Sequence, residues 1–243
     1  MKKLIFKKQK KKTFWLVVAC LAMCLMMWTS LASATTSVYA EGAYDDTSLV
    51  LYVYADITDD APLVSQCFKV AYDPSKLAFS TASKNEAVWY FGNGGPDYPY
   101  KDPEDTGSAV VILGGKLDTN APQAGVSGER VLLGTVTFNR LSSDTPDDPT
   151  APEDYFGISL DIGKGGNFSN FVDVNGNCQD GSDLFTTITI RERGDADADG
   201  RITTSDYFTI KSLLSSNGYT CFADCDGDSR ITTSDYFCIK SKL

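Results

Sequence analysis

Between residues 37 and 190 apolar and polar positions alternate in short runs separated by turn-forming residues. Runs rich in Val, Ile, Tyr, Phe and Thr at 48–56, 62–72, 108–113, 130–139, 155–161 and 184–190 predict strands. In 130–139 the period is two: Leu132, Gly134, Val136 and Phe138 fall on one face, and Leu133, Thr135 and Thr137 on the other. No stretch in this region has a helical period. The intervening segments 92–107, 118–128 and 144–154 are rich in Gly, Pro and Asp. Short strands joined by such turns predict a mainly β domain, a jelly roll or sandwich. The proline-rich segments read as loops rather than domain linkers, because none of the pieces they separate could bury a core alone.

The pattern changes at both ends. Seven lysines lie within residues 1–12, an apolar stretch runs from Phe14 to about Met27, and small residues follow. That order is the order of a secretory signal, so residues 1–40 are expected to be removed on export. Two small-residue motifs offer a cleavage site, Ala32-Ser33-Ala34 and Val38-Tyr39-Ala40, and the mature chain starts near Thr35 or Glu41. An uncleaved anchor fits less well, since the apolar stretch is shorter than the ~20 residues a span needs. Lipidation at Val17-Val18-Ala19-Cys20 fits less well too, because half the apolar stretch would stay in the mature protein. The expected address is extracellular, with attachment to a cell only through other proteins.

Beyond Arg191 the chain repeats itself. Residues 194–214 and 223–243 align at an offset of 29, and Arg-Ile-Thr-Thr-Ser-Asp-Tyr-Phe occurs identically at 201–208 and 230–237. The first copy sets Asp195, Asp197, Asp199 and Asp206 at positions 1, 3, 5 and 12 of a twelve-residue loop, with Gly200 at position 6. Calcium takes six to eight oxygens, and carboxylates at alternating loop positions supply them while position 7 offers its carbonyl. That carbonyl belongs to Arg201, and Thr203 stands at position 9. The second copy places Asp224, Asp226, Asp228, Arg230, Thr232 and Asp235 identically. Magnesium fits less well, because it keeps more waters in a smaller cage. Two loops in register separate this pattern from the solvated aspartate turns common on surfaces. Position 6 of the second loop is Ser229, which must adopt a glycine-like backbone at a cost of ~1 kcal/mol, so the second site is expected to be weaker.

After each loop, Tyr207, Ile210, Leu214 and Tyr236, Ile239, Leu243 recur at helical spacing. The run before the first loop is strand-like, so the entering helix of an ordinary EF-hand is missing. So small a unit needs metal to fold, and calcium and folding should be coupled.

Charge and composition exclude several functions. Removing the first 40 residues takes away seven of the 22 basic residues and none of the 32 acidic ones, leaving a net charge near −17. Such a field repels nucleic acid and attracts divalent cations. Histidine is absent, which removes Ser-His-Asp and Cys-His catalysis and histidine zinc sites. The five cysteines of the mature chain, Cys67, Cys178, Cys221, Cys225 and Cys238, cannot all pair internally and match no zinc spacing. Buried thiols with at most one or two disulfides are expected, in no deducible connectivity.

A duplicated calcium loop with exiting helix, Asp at position 12 and no entering helix resembles the dockerin module of cellulosome-type assemblies, over residues 194–243. The resemblance implies two calcium ions and a cohesin partner. It assigns the partner contacts to positions 10, 11, 17 and 18, here Thr204, Ser205, Lys211 and Ser212 in the first copy and Thr233, Ser234, Lys240 and Ser241 in the second. Their near two-fold symmetry implies binding in either of two orientations. The β region, 41–190, is similar to a cohesin in the strands 49–55, 67–77 and 132–138. A cohesin followed by a dockerin, 191–243, is the layout of a non-catalytic adaptor scaffoldin in polysaccharide breakdown. Its dockerin plugs into the cohesin of a larger scaffold, and its cohesin receives a dockerin-bearing enzyme or module.

Two alternatives stay open. In the first, the β domain is a carbohydrate-binding module, with Trp89, Tyr90, Phe91, Tyr98 and Tyr100 as candidate sugar platforms. Depletion by insoluble cellulose or xylan would favour it. In the second it is a small glycoside hydrolase, which needs only two carboxylates, and turnover of a chromogenic glycan would favour that.

Overall fold

A computed structural model describes residues 36–90, 103–116, 124–162, 171–179 and 185–243. Residues 1–35 of the expected signal 1–40, most of 92–107, part of 118–128, and the aromatics Phe91, Tyr98 and Tyr100 lie outside the described residues.

The chain runs β1 (Ser37–Tyr44), β2 (Ser48–Ile57), β3 (Leu63–Ala71), β4 (Leu77–Lys84), β5 (Glu104–Asp105), β6 (Ala109–Gly115) and β7 (Gly128–Arg140). There follow α1 (Pro152–Phe156), β8 (Ser159–Asp161), β9 (Phe171–Asp173), β10 (Cys178–Gln179), β11 (Phe185–Glu192), α2 (Thr204–Ser216) and α3 (Thr233–Lys242). One sheet has the order β11-β1-β2-β7-β4; the other is β10-β9-β3-β6-β5, with β8 also on β3. Their inward residues make one core, in which Phe68, Trp89, Phe138, Phe156 and Phe171 are fully buried. The expected mainly β sandwich is therefore present. In β2 Leu49, Leu51, Val53 and Ala55 face the core at alternate positions, and Tyr54 on the other face is buried as well.

Four expectations need correction. Residues 155–161 were expected to be one strand, but the segment opens in α1, and only Ser159–Asp161 is extended. Pro152 is pre-set for a first helical turn, Glu153 and Asp154 favour it electrostatically, and Gly157 closes the helix at φ 63°. The alternation assigned to β7 breaks at a bulge, where Val53 pairs with Gly134 but Tyr54 pairs with Leu132. The extra residue, Leu133, enters the core and Leu132 is only half-buried. The Asn85–Trp89 segment satisfies carbonyls at the bulge. Trp89 Nε1 and Asn85 Nδ2 donate to the Leu132 oxygen at 3.1 and 3.2 Å, and Asn85 N donates to the Leu133 oxygen at 3.1 Å. Trp89 is thus 0% exposed and offers no sugar platform. Leu243, assigned to the apolar stripe of the last helix, is exposed at the chain end.

The C-terminal module packs α2 and α3 over a small core of Ala196, Ile210, Ala223, Cys225 and Ile239. No linker separates it from the sandwich: only Arg193 and Gly194 stand between the last residue of β11 and Asp195. Gly194 makes that turn at φ 104°, in the left-handed region that a side chain would disfavour. An added Cβ would make only ordinary contacts there, 3.4 to 3.6 Å from Ile239, Ile202 and Cys225, so it is the backbone conformation that calls for glycine.

Candidate metal centres and docking face

Each loop is built by its own carboxylates. In the first, Asp195 accepts the N–H groups of Asp199 at 3.0 Å and Gly200 at 2.8 Å, and Asp199 accepts that of Arg201 at 2.9 Å. Asp206 reaches back to the N–H groups of Asp197 at 3.2 Å and Thr203 at 2.6 Å. Thr203 in turn caps α2, its hydroxyl accepting the Ser205 N–H at 3.1 Å. That reciprocal capping box is why a helix starts here, and it fixes the position-12 carboxylate at the helix entrance. In the second loop Asp224 accepts from Ser229 N at 2.9 Å and Asp228 from Arg230 N at 2.9 Å. Asp235 accepts from Cys225 N at 2.8 Å and Thr232 N at 2.7 Å, and Thr232 caps α3.

Ligand oxygens of Asp195, Asp197 and Asp199 lie within 4.8 Å of one another, as do those of Asp224, Asp226 and Asp235. The geometry thus gathers three of the four expected carboxylates in each loop; Asp206 in the first and Asp228 in the second stand outside the cluster, each bonded to loop backbone. The side chains of Arg201 and Arg230 are exposed, consistent with a carbonyl role at position 7.

Asp195, Asp206, Asp224 and Asp235 are nonetheless buried. Burial, then repulsion from Asp206 and Asp199, pushes the Asp195 carboxyl up to about 6. Burial also raises Asp224, against the hydrogen bond from Ser229 and the charge of Arg193, with Asp235 adding to the rise. One buried oxygen, Asp224 Oδ1, has no hydrogen-bond partner. Buried carboxylates are costly without a compensating cation, and the donor set is all hard oxygen, so the loops suit calcium.

Backbone geometry removes the expected difference between the sites. Ser229 is left-handed at φ 66°, as its place requires, but the first loop has a left-handed Ala198 at φ 60°. Each loop uses two such positions, 4 and 6, and fills one with glycine: Gly200 at φ 88° in the first and Gly227 at φ 76° in the second. The strain is shared equally, so it gives no reason for a weaker second site.

A disulfide joins Cys225, at position 2 of the second loop, to Cys238 in α3, with Cα atoms 6.0 Å apart. The matching residues of the first copy are Ala196 and Thr209, so only the second is stapled.

All eight residues assigned to partner contact are exposed: Thr204, Ser205, Lys211, Ser212, Thr233, Ser234, Lys240 and Ser241. Two further residues share their helices and were missed by the sequence reasoning. Phe208 and Phe237 are 65% and 63% exposed, at the same place in each copy. They end an aromatic chain across the module. Phe208 meets Tyr207 edge-on at 5.6 Å, Tyr207 meets Tyr236 at 4.3 Å, and Tyr236 meets Phe237 edge-on at 5.5 Å. The signal was present: a phenylalanine off the apolar stripe in both copies.

Residues 193–243 match the family model of the dockerin type I domain. None of the curated proteins matches the chain. Among solved structures, a dockerin–cohesin complex whose cohesin comes from Clostridium acetobutylicum is 13% identical, covers 64% of this chain and 99% of its own, and has a TM-score of 0.43. The sixth cohesin of scaffoldin B from Acetivibrio cellulolyticus, in complex with a dockerin, is 16% identical over 66% of this chain and 100% of its own, TM-score 0.39. A non-cellulosomal cohesin from Archaeoglobus fulgidus is 15% identical over 68% and 96%, TM-score 0.39.

Proposed function

We propose that this chain is a secreted, non-catalytic adaptor of a cellulosome-type assembly. Its C-terminal module holds two calcium ions and docks through α2 and α3 onto a cohesin of a larger scaffold. Its sandwich receives the dockerin of an enzyme or other component in polysaccharide degradation. The observation that carries the first half is the duplication in three dimensions. Two carboxylate loops lead into two helices that expose the same residues, and the region matches the dockerin type I family.

The chemistry of that face supports a protein partner. The protein carries a net charge of −10, yet the acids of α2 and α3, Asp206 and Asp235, are both buried, while Lys211 and Lys240 are exposed. An apolar centre with a basic, hydroxyl-rich rim suits a partner surface that is apolar at its centre and acidic around it. When bound, calcium supplies the counter-charge that lets the buried carboxylates stay ionised. The protein's own part is to hold them with loop amides and to begin each helix at Thr203 and Thr232.

The test is a binding titration of the chain against a panel of scaffold cohesins, with calcium and with chelator. Saturable binding only in calcium is expected. A chain that binds two calcium ions but no cohesin would remove the docking reading and leave a calcium-stabilised β protein.

A further inference from the structure

The three residues that follow the sandwich core along β11, Arg191-Glu192-Arg193, each reach into the calcium module. Arg191 Nε donates to the carbonyl of Ala198 at 3.0 Å and lies 3.7 Å from Asp195 Oδ2, at position 1 of the first loop. Glu192 pairs with Lys242 at the end of α3 at 3.0 Å, and the same ammonium donates to the Arg193 carbonyl at 2.7 Å. Arg193 is nearly buried and spans the boundary. Its N–H extends the β1–β11 ladder by donating to the Tyr44 carbonyl at 2.8 Å, and its Nε sits 3.2 Å from Asp45 Oδ2 in the β1–β2 turn. Its Nη1 donates to the Asp224 carbonyl at 3.1 Å and lies 3.9 Å from Asp224 Oδ2, at position 1 of the second loop.

The surrounding contacts follow the same line. Ala43 of β1 packs with Cys221 and Phe222, and Tyr52 and Ala198 close over them. Gly194 N donates to the Phe222 carbonyl at 2.8 Å. Tyr52 of β2 meets Tyr219 hydroxyl to hydroxyl at 3.5 Å, and Tyr219 donates to Asp224 Oδ2 at 3.2 Å. A Cβ on Gly227 would come within 2.9 Å of Arg193 Nη1, so that glycine lets the second loop close over the guanidinium.

We propose that the β11 tail welds the sandwich and the calcium module into one calcium-locked body, in which Arg193 is the positioning residue that ties the second loop to the β1–β2 turn. The calcium clause rests on the function proposed above. A guanidinium is a rigid fork, and a nearly buried one needs counter-charge: Asp45 supplies it as an ion pair in which Nε makes no hydrogen bond, while the Asp224 carbonyl accepts from Nη1. It reaches Asp45 and Asp224 together only when the second loop has its folded shape, which calcium stabilises. By linkage, whatever calcium gives the loop it also gives the turn. The functional result is an adaptor of fixed geometry. The docking helices and the sandwich hold their two partners at a set orientation, where a flexible tether would let it vary.

Backbone hydrogen exchange of the whole chain, with and without calcium, reads this directly. Asp45 Oδ1 holds the N–H groups of Thr47 and Ser48, each at 2.8 Å, so those amides report on the turn. In the unmodified chain calcium should slow their exchange by about tenfold or more. In Arg193→Met the calcium effect on the turn should shrink to less than about threefold, while two ions still bind by calorimetry. Asp45→Asn keeps the acceptor for the turn and loses the charge, and should behave the same way; it decides the matter if Arg193→Met does not fold. Two ions bound without added protection of the turn, or protection that survives both substitutions, would overturn the weld alone. An unmodified chain that binds no calcium would overturn both the weld and the metal reading beneath it.

Discussion

The rings of Tyr207 and Tyr236 meet at 4.3 Å, each from the same place in its copy of the repeat, and so mark the near two-fold axis of the C-terminal module. The exposed residues Thr204, Ser205, Phe208, Lys211 and Ser212 of α2 have identical counterparts on α3 across that contact, Phe237 matching Phe208. If either helix can lead the docking, one copy substitutes for the other. Phe208→Ala or Phe237→Ala alone should then weaken cohesin binding by only about twofold, the statistical loss of one of two equivalent modes. The double variant should lose about a hundredfold, since a fully buried Phe contributes ~3 kcal/mol. Because both side chains are exposed in the free protein, melting temperature should hardly move. Equal large losses from each single variant, measured by calorimetry, would exclude two equivalent orientations.

Each loop carries one strained non-glycine residue, Ala198 at φ 60° in the first and Ser229 at φ 66° in the second, so calcium affinity should respond to its relief in both loops. Ser229→Gly relieves a left-handed residue on an exposed loop and should tighten the second site by at most about fivefold, equivalent to ~1 kcal/mol. Ala198→Gly should gain less, since Ala198 also packs on the Cys221–Phe222 cluster and would lose that contact. Site-resolved titration of the two variants checks this. A gain at Ala198 larger than at Ser229 would show that the packing is not felt.

The carboxylate loops and their exiting helices were legible because their pattern is local: the aspartate spacing, the capping threonines and the helical stripe all lie within one copy of the repeat. The sandwich was legible where core-facing apolar residues alternate along a strand, as Leu49, Leu51, Val53 and Ala55 do in β2. It was not legible where tertiary contacts overrode the pattern. The phase of β7 depends on a bulge whose carbonyls are met by Trp89 and Asn85, more than forty positions away in the chain. Strand β1 was hidden because its residues overlap a plausible signal-cleavage motif. Strand β4, with Ser80, Thr81 and Ser83 among its residues, has little apolar alternation to show. The direct docking of the module on the sandwich was hidden for another reason. Arg-Glu-Arg reads as a solvated charge run until Asp45, Asp224 and Lys242 are brought to it.

Removal of calcium should affect the two helices unequally. The Cys225–Cys238 bond closes a segment of 13 residues and ties α3 to its loop, a constraint worth ~3 kcal/mol on the unfolded chain. Nothing equivalent holds α2, whose matching residues are Ala196 and Thr209. With chelator under non-reducing conditions, amides of α2 should therefore exchange faster than those of α3. Replacing Cys225 with Ala and Cys238 with Thr, the residues of the first copy, should abolish the difference. Equal exchange in the disulfide-bonded chain would show that the staple does not order α3 without metal.

The mature N-terminus should be Thr35, produced by cleavage after Ala34. Of the two small-residue motifs, the later one lies inside β1, which pairs with β11 on one side and β2 on the other. Val38 and Ala40 are 0% and 2% exposed, so cleavage after Ala40 would remove both from the core together with half the strand. The lost side chain of Val38 alone would cost ~1 to 2 kcal/mol, and the unpaired ladder of β2 and β11 would add to it. Signal peptidase acts during export, before the sandwich forms, so burial does not itself direct the cut; a chain beginning at Glu41 would instead fold poorly and be lost to proteolysis. Intact mass measurement of the secreted protein distinguishes the two ends. A folded, stable product beginning at Glu41 would mean that the outer half of β1 is dispensable and that its pairing contributes little to the sheet.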